Sequence, residues 1–424
     1  MKKMFVLWGA LALLTAACSN EESQEVSFSP LVLTALQEGE ATRTSLHTTE
    51  VHWSAGDNVA AFVSNVAHTS TATEILSAKS ARFTFSDLAA DAVVQYAVYP
   101  ASAAVGLVGE SVVTVTVPTE QTAVAGSFAE GSAVAIAKGG SSTLGFMNVC
   151  GFLAFTINAD GVQSVHIYAN EKMTGAADVN WNSGNPTVSA FKNFAYTGVK
   201  LTGPFTKGAT YYAAVFPGTY TGLTLKLTHS DGYMSTYTNS NTLTVSRKDN
   251  VVIAKDLSLR TPASGTWFEK APATIGFDVP VIIVGKVGND YRLISNADTG
   301  ELSSPSAATT ATVSGSTVTD VTDGFKWNLS TTDGKFTLYP AGDHTRWLNC
   351  QTKSESASQT CMSVNNDSYY NRRFFVWDAT GHLITSDNYR DRYLSYYNYL
   401  WCGETFPTSG DYPAAVFSFY VKVP

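Results

Sequence analysis

Apolar and polar residues alternate in short runs along most of the chain. Examples are Val112–Val117, Phe152–Ile157 and Leu223–Leu227, and Gly, Asn, Asp or Ser residues lie between such runs. Alternation with a period of two is typical of half-buried β-strands. After Leu14, no window of about 15 residues carries the sustained apolar stripe of an amphipathic helix. The pattern therefore predicts an all-β protein.

The first residues follow a different pattern. Two lysines open the chain, an apolar run covers residues 4–14, and small residues come directly before Cys18. This run is too short to span a bilayer and indicates a secretory signal peptide over residues 1–17. A Cys at the cleavage point is what a bacterial lipoprotein signal requires, because its thiol carries the lipid. We predict acylation of Cys18, with palmitate among the acyl groups; a soluble secreted protein is the alternative.

Acidic residues follow the predicted lipidation point. Glu21 and Glu22 lie in residues 18–26 and resemble the surface-export tether of lipoproteins from gut and oral Gram-negative anaerobes. The resemblance implies a lipid-anchored protein on the outward face of the outer membrane. A plain polar linker is the alternative reading.

Length and charge limit the number of domains and the classes of protein to which the chain can belong. The 424 residues predict two or three domains. A net charge of −8 offers no basic surface for nucleic acid. No segment after residue 14 reaches the roughly 18 apolar residues of a membrane helix.

Turn residues and aromatic content divide the chain. We predict a first β-sandwich over residues 27–145 and a second over residues 146–258. Residues 259–266 have the Pro, Gly and Ser content of a linker. Most of the Trp and Tyr residues fall in residues 267–424, which we predict to be a separate, aromatic-rich β module.

Several motifs in the first two predicted domains occur in a characteristic order. They are Thr42–Leu46, Val51–Val59, Tyr96–Pro100, Met173–Gly175 and Tyr211–Gly218. Their order and spacing resemble the fimbrillin-like family, the major and minor fimbrium subunits among the surface lipoproteins of Gram-negative anaerobes. The resemblance covers about residues 30–258 and implies two β-sandwich domains. Read without the family, Trp53 is a core residue and Asp57 a turn former.

Arg43 is the first basic residue after Lys3. Fimbrillins of this kind are cut after a basic residue, so that a first strand is lost and the open groove accepts a strand from the next subunit. The resemblance therefore implies cleavage between Arg43 and Thr44, with Val26–Leu36 as the removable strand and other fimbrial subunits as partners. The alternative is that Arg43 lies in an ordinary loop and the lipid is retained.

The predicted C-terminal module contains a repeat. Residues 325–349 resemble residues 374–395, and residues 281–294 are a more divergent copy. A repeat of about 45 residues, built of short strands and present three times, predicts a β-trefoil. A small β-sandwich is the alternative.

Aromatic and arginine residues are dense near the end of this module. Sugars stack their apolar CH faces on such rings and need fixed polar partners for their hydroxyls, so a glycan is one candidate ligand. A host surface protein is the second candidate, and a structural role is the third. The candidate ligand-binding residues are Tyr389, Arg390, Arg392, Tyr393, Tyr396, Tyr397 and Trp401.

The cysteines and histidines indicate no catalytic or metal site. Cys350 and Cys361 are the pair nearest in sequence for a disulfide, and no Cys or His spacing matches a zinc site. The sequence lacks a Gly-x-Ser-x-Gly elbow, a His-Glu-x-x-His helix and a phosphate loop. We therefore predict no enzymatic activity and no cofactor.

Together these features describe a surface-exposed, fimbrillin-like lipoprotein. We expect a pilus-associated adhesin, at the tip or in an accessory position, that binds a glycan or host surface ligand through its C-terminal module. The alternative is a lipid-anchored glycan-capture protein of the outer membrane that never polymerises.

Overall fold

The computed structural model of the chain describes residues 29–38, 53–109, 111–182, 184–192, 195–260, 262–277, 279–287, 290–297, 311–319, 321–332, 335–351, 359–365, 373–377, 381–386, 391–396, 400–403 and 415–424. It describes the backbone alone at residues 332, 351, 359–363, 365, 386, 391–393, 396 and 400–403.

Regular structure in the described part is almost entirely β. No α-helix occurs there, and short 3-10 helices lie at Ala101–Ala103, Pro272–Thr274 and Asp323–Phe325. None of the helices in these ranges is long and apolar enough to cross a membrane. The all-β prediction is confirmed.

The N-terminal part of the fold, residues 30–148, begins with one large sheet. Its strand order is β3-β2-β6-β10-β11-β1-β5-β4. Side chains of β1 and β5 share a core with side chains of β2, β6 and β10, so the sheet curls around that core. The strands of this part are β1 (Pro30–Gln37), β2 (Ala60–Val63), β3 (Val66–Thr69), β4 (Ala72–Ser77), β5 (Ser80–Ala89), β6 (Tyr96–Tyr99), β7 (Ala104–Val108), β8 (Val112–Val117), β9 (Glu120–Thr122), β10 (Ala135–Lys138) and β11 (Thr143–Asn148).

Trp53 fills this core, as the sequence predicts. Its side chain is 4% exposed, and its ring lies edge-on to Phe83 and Tyr99 with centroids 5.0 Å away in both cases. Asp57 closes the turn that follows, because its Oδ2 accepts a hydrogen bond from the Ser54 amide at 2.7 Å. The Tyr99 hydroxyl donates to Oδ1 of the same carboxylate at 3.0 Å. The turn is thereby tied to the core.

The central part of the fold, residues 151–257, consists of smaller sheets. Their orders are β17-β12-β22, β20-β19-β13-β16-β9, β15-β14-β8-β7 and β18-β21. The strands of this part are β12 (Gly151–Ile157), β13 (Val162–Tyr168), β14 (Gly175–Asn182), β15 (Asn185–Phe191), β16 (Gly198–Thr202), β17 (Thr210–Val215), β18 (Gly218–Tyr220), β19 (Leu223–His229), β20 (Met234–Asn239), β21 (Leu243–Val245) and β22 (Asn250–Leu257).

The three-stranded sheet of the central part is buried on both faces. Leu153 and Phe155 face one core together with strands β13 and β19, and Phe152 and Ala154 face another together with β8 and β14. Burial on both faces explains why Phe152–Ile157 reads as a nearly continuous apolar run.

Strands from both sides of residue 145 share sheets. β7 and β8 join β14 and β15, and β9 joins β16. The core of this region also combines Val113 and Val115 of β8 with Phe152 and Tyr212 of the central part. The predicted boundary between residues 145 and 146 therefore does not coincide with a break in strand pairing.

The C-terminal module, residues 267–422, is organised around three antiparallel strands. Strand β36 (Val416–Lys422) lies between β23 (Trp267–Glu269) and β24 (Val281–Val287). The strands of the module are β23 (Trp267–Glu269), β24 (Val281–Val287), β25 (Asp290–Leu293), β26 (Thr312–Ser314), β27 (Thr317–Thr319), β28 (Lys326–Thr332), β29 (Lys335–Pro340), β30 (Trp347–Gln351), β31 (Gln359–Asn365), β32 (Phe375–Trp377), β33 (Leu383–Ser386), β34 (Asp391–Tyr396), β35 (Leu400–Gly403) and β36 (Val416–Lys422).

The pairing within the module has a threefold pattern. The pairs β28–β29, β32–β33 and β36–β24 surround one core, and β24–β28 and β29–β32 link them. The Phe417 amide donates to the Gly381 carbonyl at 2.9 Å and brings β36 beside β33. Outside this ring, β30 pairs with β31 and β34 pairs with β35. A threefold ring of this kind is the arrangement that the β-trefoil prediction requires, and the small β-sandwich stays the alternative.

The module is packed directly on the central part. Tyr233, just before β20, forms an isolated antiparallel bridge with Lys270, just after β23. The Ala271 amide donates to the Gly232 carbonyl at 2.9 Å. Within the predicted linker, the Arg260 amide donates to Ser235 Oγ at 2.7 Å. These bonds hold the two parts together along the edge of β20.

Candidate functional site

Strand β1 is an internal strand of the large sheet. It runs parallel to β11 on one side and antiparallel to β5 on the other. Leu31, Leu33 and Ala35 are 5%, 2% and 1% exposed, whereas Val32 and Leu36 face outward. Loss of β1 would leave a groove with an apolar floor and two rows of unpaired backbone groups, which is the template for strand addition.

A cluster of charged groups holds the residue that follows β1. Arg247 donates from both terminal nitrogens to the Glu38 carboxylate, with the Nη2–Oε1 distance 2.8 Å, and Lys248 Nζ lies 3.5 Å from Oε1. The Asn148 amide donates to Oε2 at 3.3 Å. We call this set the Glu38 clamp. Burial raises the pKa of Glu38, but the Arg247 hydrogen bond and the Arg247 and Lys248 charges outweigh it, so that the pKa is lowered.

The predicted processing residues lie outside the described part of the chain. Cys18, Arg43 and Thr44 belong to this group, and their predicted roles stay predictions. Arg43 follows the end of β1 by six positions in the sequence.

A cavity of about 890 Å³ lies between the central part and the C-terminal module. Its volume is within the range of small-molecule sites, which occur preferentially at domain interfaces. We call it the interdomain cavity. Residues of the central part that line it include Tyr168, Asn170, Glu171, Lys172, Phe191, Tyr220, Thr224 and Lys226, and residues of the module include Glu269, Lys286, Tyr291, His382, Ser418 and Tyr420.

A buried ion pair joins the two walls of the interdomain cavity. Lys226 of β19 donates to Glu269 of β23 and, at 2.5 Å, to Ser418 Oγ of β36. The Lys226 and Glu269 side chains are 8% and 1% exposed. Thr236 Oγ1 donates to the second oxygen of Glu269 at 2.9 Å. Glu269 therefore has partners at both oxygens, as a buried carboxylate requires.

Lys286, in strand β24 of the C-terminal module, also lines the cavity and has no acidic partner among the described residues. Its Nζ lies 5.6 Å from the centroid of the Tyr291 ring. Its pKa is lowered, first by burial and second by the Lys226 ammonium. Both effects disfavour a positive charge that has no counter-ion.

The rim of the cavity is built from hydrogen-bonded side chains of the central part. Glu171 accepts from the Thr221 amide at 2.7 Å and from Thr221 Oγ1 at 2.6 Å. Asn170 Nδ2 donates to Thr221 Oγ1 at 3.0 Å. Gly222 has φ +64°, and a Cβ added there would lie 2.8 Å from Nδ2 of the Asn170 side chain. This glycine thus allows the rim to close against Asn170.

Aromatic side chains beside the cavity make contacts between the central part and the C-terminal module. Tyr168 hydroxyl and His166 Nδ1 lie 2.8 Å apart, and the His166 ring stacks on Trp377 of the module at 5.6 Å. Burial raises the pKa of Tyr420 well above its usual value, so this phenol stays neutral. The described lining combines hydroxyl, amide and aromatic groups with the Lys286 ammonium, which suits a polar organic ligand. No group of three His, Cys, Asp or Glu side chains able to hold a metal occurs among the residues that the structure describes.

The predicted aromatic binding residues are only partly described. The backbones of Arg392, Tyr393 and Tyr396 belong to β34 and that of Trp401 to β35, where Ser395 pairs with Trp401. The remaining three residues, Tyr389, Arg390 and Tyr397, lie outside the described residues. Ligand binding by these seven residues therefore stays a prediction. Sequence reasoning missed the interdomain cavity because no local motif marks it.

The cysteines of the two parts differ in state. Cys150 is a buried free thiol, and Cys350 is disulfide-bonded. In the backbone register of β30 and β31, Cys350 lies opposite Met362 and Gln351 opposite Cys361. The side chain of Cys361 is outside the described set, so its pairing with Cys350 stays a prediction.

Comparison with known proteins gives only distant similarity. No protein-family model and no curated protein matches the chain. A solved protein of Bacteroides ovatus ATCC 8483, provisionally named a cell adhesion protein, is 12% identical over 56% of this chain and 94% of its own, with a TM-score of 0.35. A provisionally named cell adhesion protein of Bacteroides uniformis ATCC 8492 is 18% identical over 54% and 94%, with a TM-score of 0.34.

An enzyme structure is also similar at this level. The endo-β-galactosidase of Clostridium perfringens that releases GlcNAcα1-4Gal is 11% identical over 77% of this chain and 89% of its own, with a TM-score of 0.24. Similarities this weak carry no argument about fold or function.

Proposed function

We propose that the chain is a surface-exposed, lipid-anchored adhesin of the fimbrillin type, at the tip of a pilus or accessory to it. The observation that carries the proposal is the position of β1. This strand is internal, its alternate side chains are buried, and it precedes the first basic residue after the predicted signal peptide.

Cleavage after Arg43 would separate β1 from the rest of the chain. The exposed edges of β5 and β11 would then accept a strand with the same alternation of apolar residues, supplied by another fimbrial subunit. Main-chain hydrogen bonds would provide affinity, and the pockets of Leu31 and Leu33 would set the register.

A tip or accessory position is supported by the pairing of strands in the C-terminal module. Strand β36 pairs on both sides, with β23 and with β24. A strand held in this way is not available as a donor to another subunit. We therefore assign ligand binding, rather than strand donation, to the C-terminal module. Its ligand is a glycan or a host surface protein.

A second candidate function is supported by the Glu38 clamp. The clamp ties the chain immediately after β1 to Arg247 and Lys248 of the central part. A strand fixed at its end is expected to stay in place, which favours a lipid-anchored glycan-capture protein of the outer membrane that does not polymerise.

Amino-terminal sequencing of surface material distinguishes these functions. The adhesin proposal predicts chains that begin at Thr44, and the variant Arg43→Gln should retain the upstream segment and its fatty acid label. Lys79→Gln, which alters the next basic residue in the sequence, is the control and should be processed normally. Chains that all begin at acylated Cys18 would overturn strand removal and support glycan capture.

A further inference from the structure

The interdomain cavity offers both kinds of contact that a sugar requires. Phe191 and Tyr291 are half-buried aromatic residues in its lining. Thr224 and Asn170 of the central part and Ser418 of the module contribute hydroxyl and amide groups to the lining. Rings can stack on the CH face of a sugar, and the polar groups can replace its hydrogen bonds to water.

The charged residues of the lining differ in how their charges are satisfied. Lys226 and Glu269 pair with each other, Glu171 accepts two hydrogen bonds from Thr221, and Lys172 donates to a backbone carbonyl at 3.2 Å. Lys286 alone among these five has no hydrogen-bonded or ionic partner in the described part of the chain. Among the described residues, Lys286 is thus the lining ammonium with neither a hydrogen-bonded nor an ionic partner.

A half-buried ammonium without a counter-ion is a binding group for an anion, because a ligand carboxylate would supply the missing charge. Among the described residues, no arginine lines the cavity. The site therefore lacks the fork that binds a carboxylate or a phosphate through two parallel bonds, and Lys286 supplies a point charge. One positive charge balances the single negative charge of a carboxylate, whereas a phosphate group carries nearly two near neutral pH.

We propose that the interdomain cavity binds a carboxylate-bearing sugar, a uronic acid or a sialic acid, with its carboxylate on Lys286 and its ring against Tyr291. The proposal rests on the glycan-binding part of the proposed function and names its site and its ligand class. It places the site between the central part and the C-terminal module.

Titration calorimetry on the full chain without its signal peptide tests this assignment. The probes are trigalacturonic acid and 3′-sialyllactose, with the methyl ester of trigalacturonic acid and lactose as neutral counterparts. We expect one or both acidic probes to bind, with the neutral counterpart weaker by about ten-fold or more, since a hydrogen bond to a charged group is worth at least that much. Which acidic probe binds identifies the source of the carboxylate.

Variants locate the site. Lys286→Met should weaken the acidic probe about ten-fold or more, and Lys286→Arg, which keeps the charge, should retain most of the affinity. Lys270→Met is the matched control, because Lys270 also lies over a tyrosine ring, at 4.5 Å from that of Tyr233, but does not line the cavity. If Lys286→Met does not fold, Tyr291→Leu provides the second test of the same wall.

The possible failures are distinct. Equal binding of acidic and neutral probes, or an affinity that Lys286→Met leaves unchanged, would overturn the acidic-sugar site and leave glycan binding in place. Loss of binding in Trp401→Ala together with full binding in Lys286→Met would move the site to hairpin β34–β35. An absence of binding to these probes and to a broad glycan array would remove both the site and the glycan-binding part of the proposed function.

Discussion

Two side chains illustrate how single residues depend on their surroundings. Glu38 is partly buried, and Arg247 and Lys248 keep its carboxylate charged. Cys150 is fully buried in an apolar core, and its Sγ makes a long contact of 3.7 Å to the Ser132 carbonyl. Ionic partners determine the state of the Glu38 carboxylate, and burial determines the state of the Cys150 thiol. We therefore expect the first to respond to loss of its charge and the second to resist chemical modification.

Glu38→Gln should lower the free energy of unfolding by about 1–3 kcal/mol near neutral pH, because Arg247 loses a charged acceptor. Burial opposes the change, but Arg247 and Lys248 lower the folded-state pKa of Glu38 from its ordinary value. The contribution is therefore complete above the ordinary pKa of a glutamate and is lost as the pH falls through the lowered folded-state value. Urea unfolding of both proteins across this range measures the difference.

The control for this prediction is Glu74→Gln, which breaks an exposed pair with Arg82 in the same large sheet. Exposed pairs contribute about 0–1 kcal/mol, so little change is expected. An equal effect of the two substitutions would contradict the role given to the Glu38 clamp.

The Cys150 thiol should be inert in the folded protein. Burial raises its pKa to about 12, so almost no thiolate forms near neutral pH. Iodoacetamide should leave Cys150 unlabelled before unfolding and label it after unfolding in guanidinium, as measured by peptide mass spectrometry. Labelling of the native protein would show that this core opens locally.

At the scale of elements, β1 and the repeated hairpins carry the main structural conclusions. β1 lies between β5 and β11, two strands that come later in the chain. The hairpins of the C-terminal module occupy equivalent places in the threefold ring. Its third pair, β36–β24, joins the two ends of the module, which explains why one copy of the repeat is hard to recognise in the sequence.

A chain that begins at Thr44 should be less stable than the longer chain and should bind a synthetic peptide of residues 29–38. Two buried leucines are each worth about 1.5–3 kcal/mol, and the strand pairing adds to them. The melting temperature should rise when the peptide is added. A peptide with Leu31→Asp and Leu33→Asp is the control, and equal binding of both peptides would rule out a specific groove.

At the scale of the whole molecule, the buried pair Lys226–Glu269 connects the central part to the C-terminal module. It forms one wall of the interdomain cavity, and Ser418 and Thr236 complete its hydrogen bonds. The module is therefore held by a polar contact as well as by the bridge at the edge of β20.

Lys226→Met should destabilise the protein by about 3–5 kcal/mol, because it leaves Glu269 buried without its cation. The double variant Lys226→Met with Glu269→Met should lose less, because neither charge remains buried. Guanidinium unfolding measures both. Lys200→Met, which breaks a more exposed pair with Glu120, is the control and should cost less than about 1 kcal/mol. A double variant as unstable as the single one would contradict this account.

The sequence by itself determined the features that depend on neighbouring residues. The period of two indicated strands, Trp53 and Asp57 indicated a core residue and a turn, and the repeat indicated a trefoil. The apolar segment Val26–Leu36 indicated a strand that the structure places at Pro30–Gln37. Each of these is a local property, because alternate side chains of a strand face opposite sides whatever their partners are.

Only the tertiary structure decided which strands and side chains meet. β7, β8 and β9 pair across the predicted domain boundary, Glu38 meets Arg247 209 positions later, and Lys226 meets Ser418 192 positions later. The entropy of closing a loop changes slowly with its length, so distance along the chain does not single out a partner. The interdomain cavity depends on such long-range contacts, and for that reason the sequence did not reveal it.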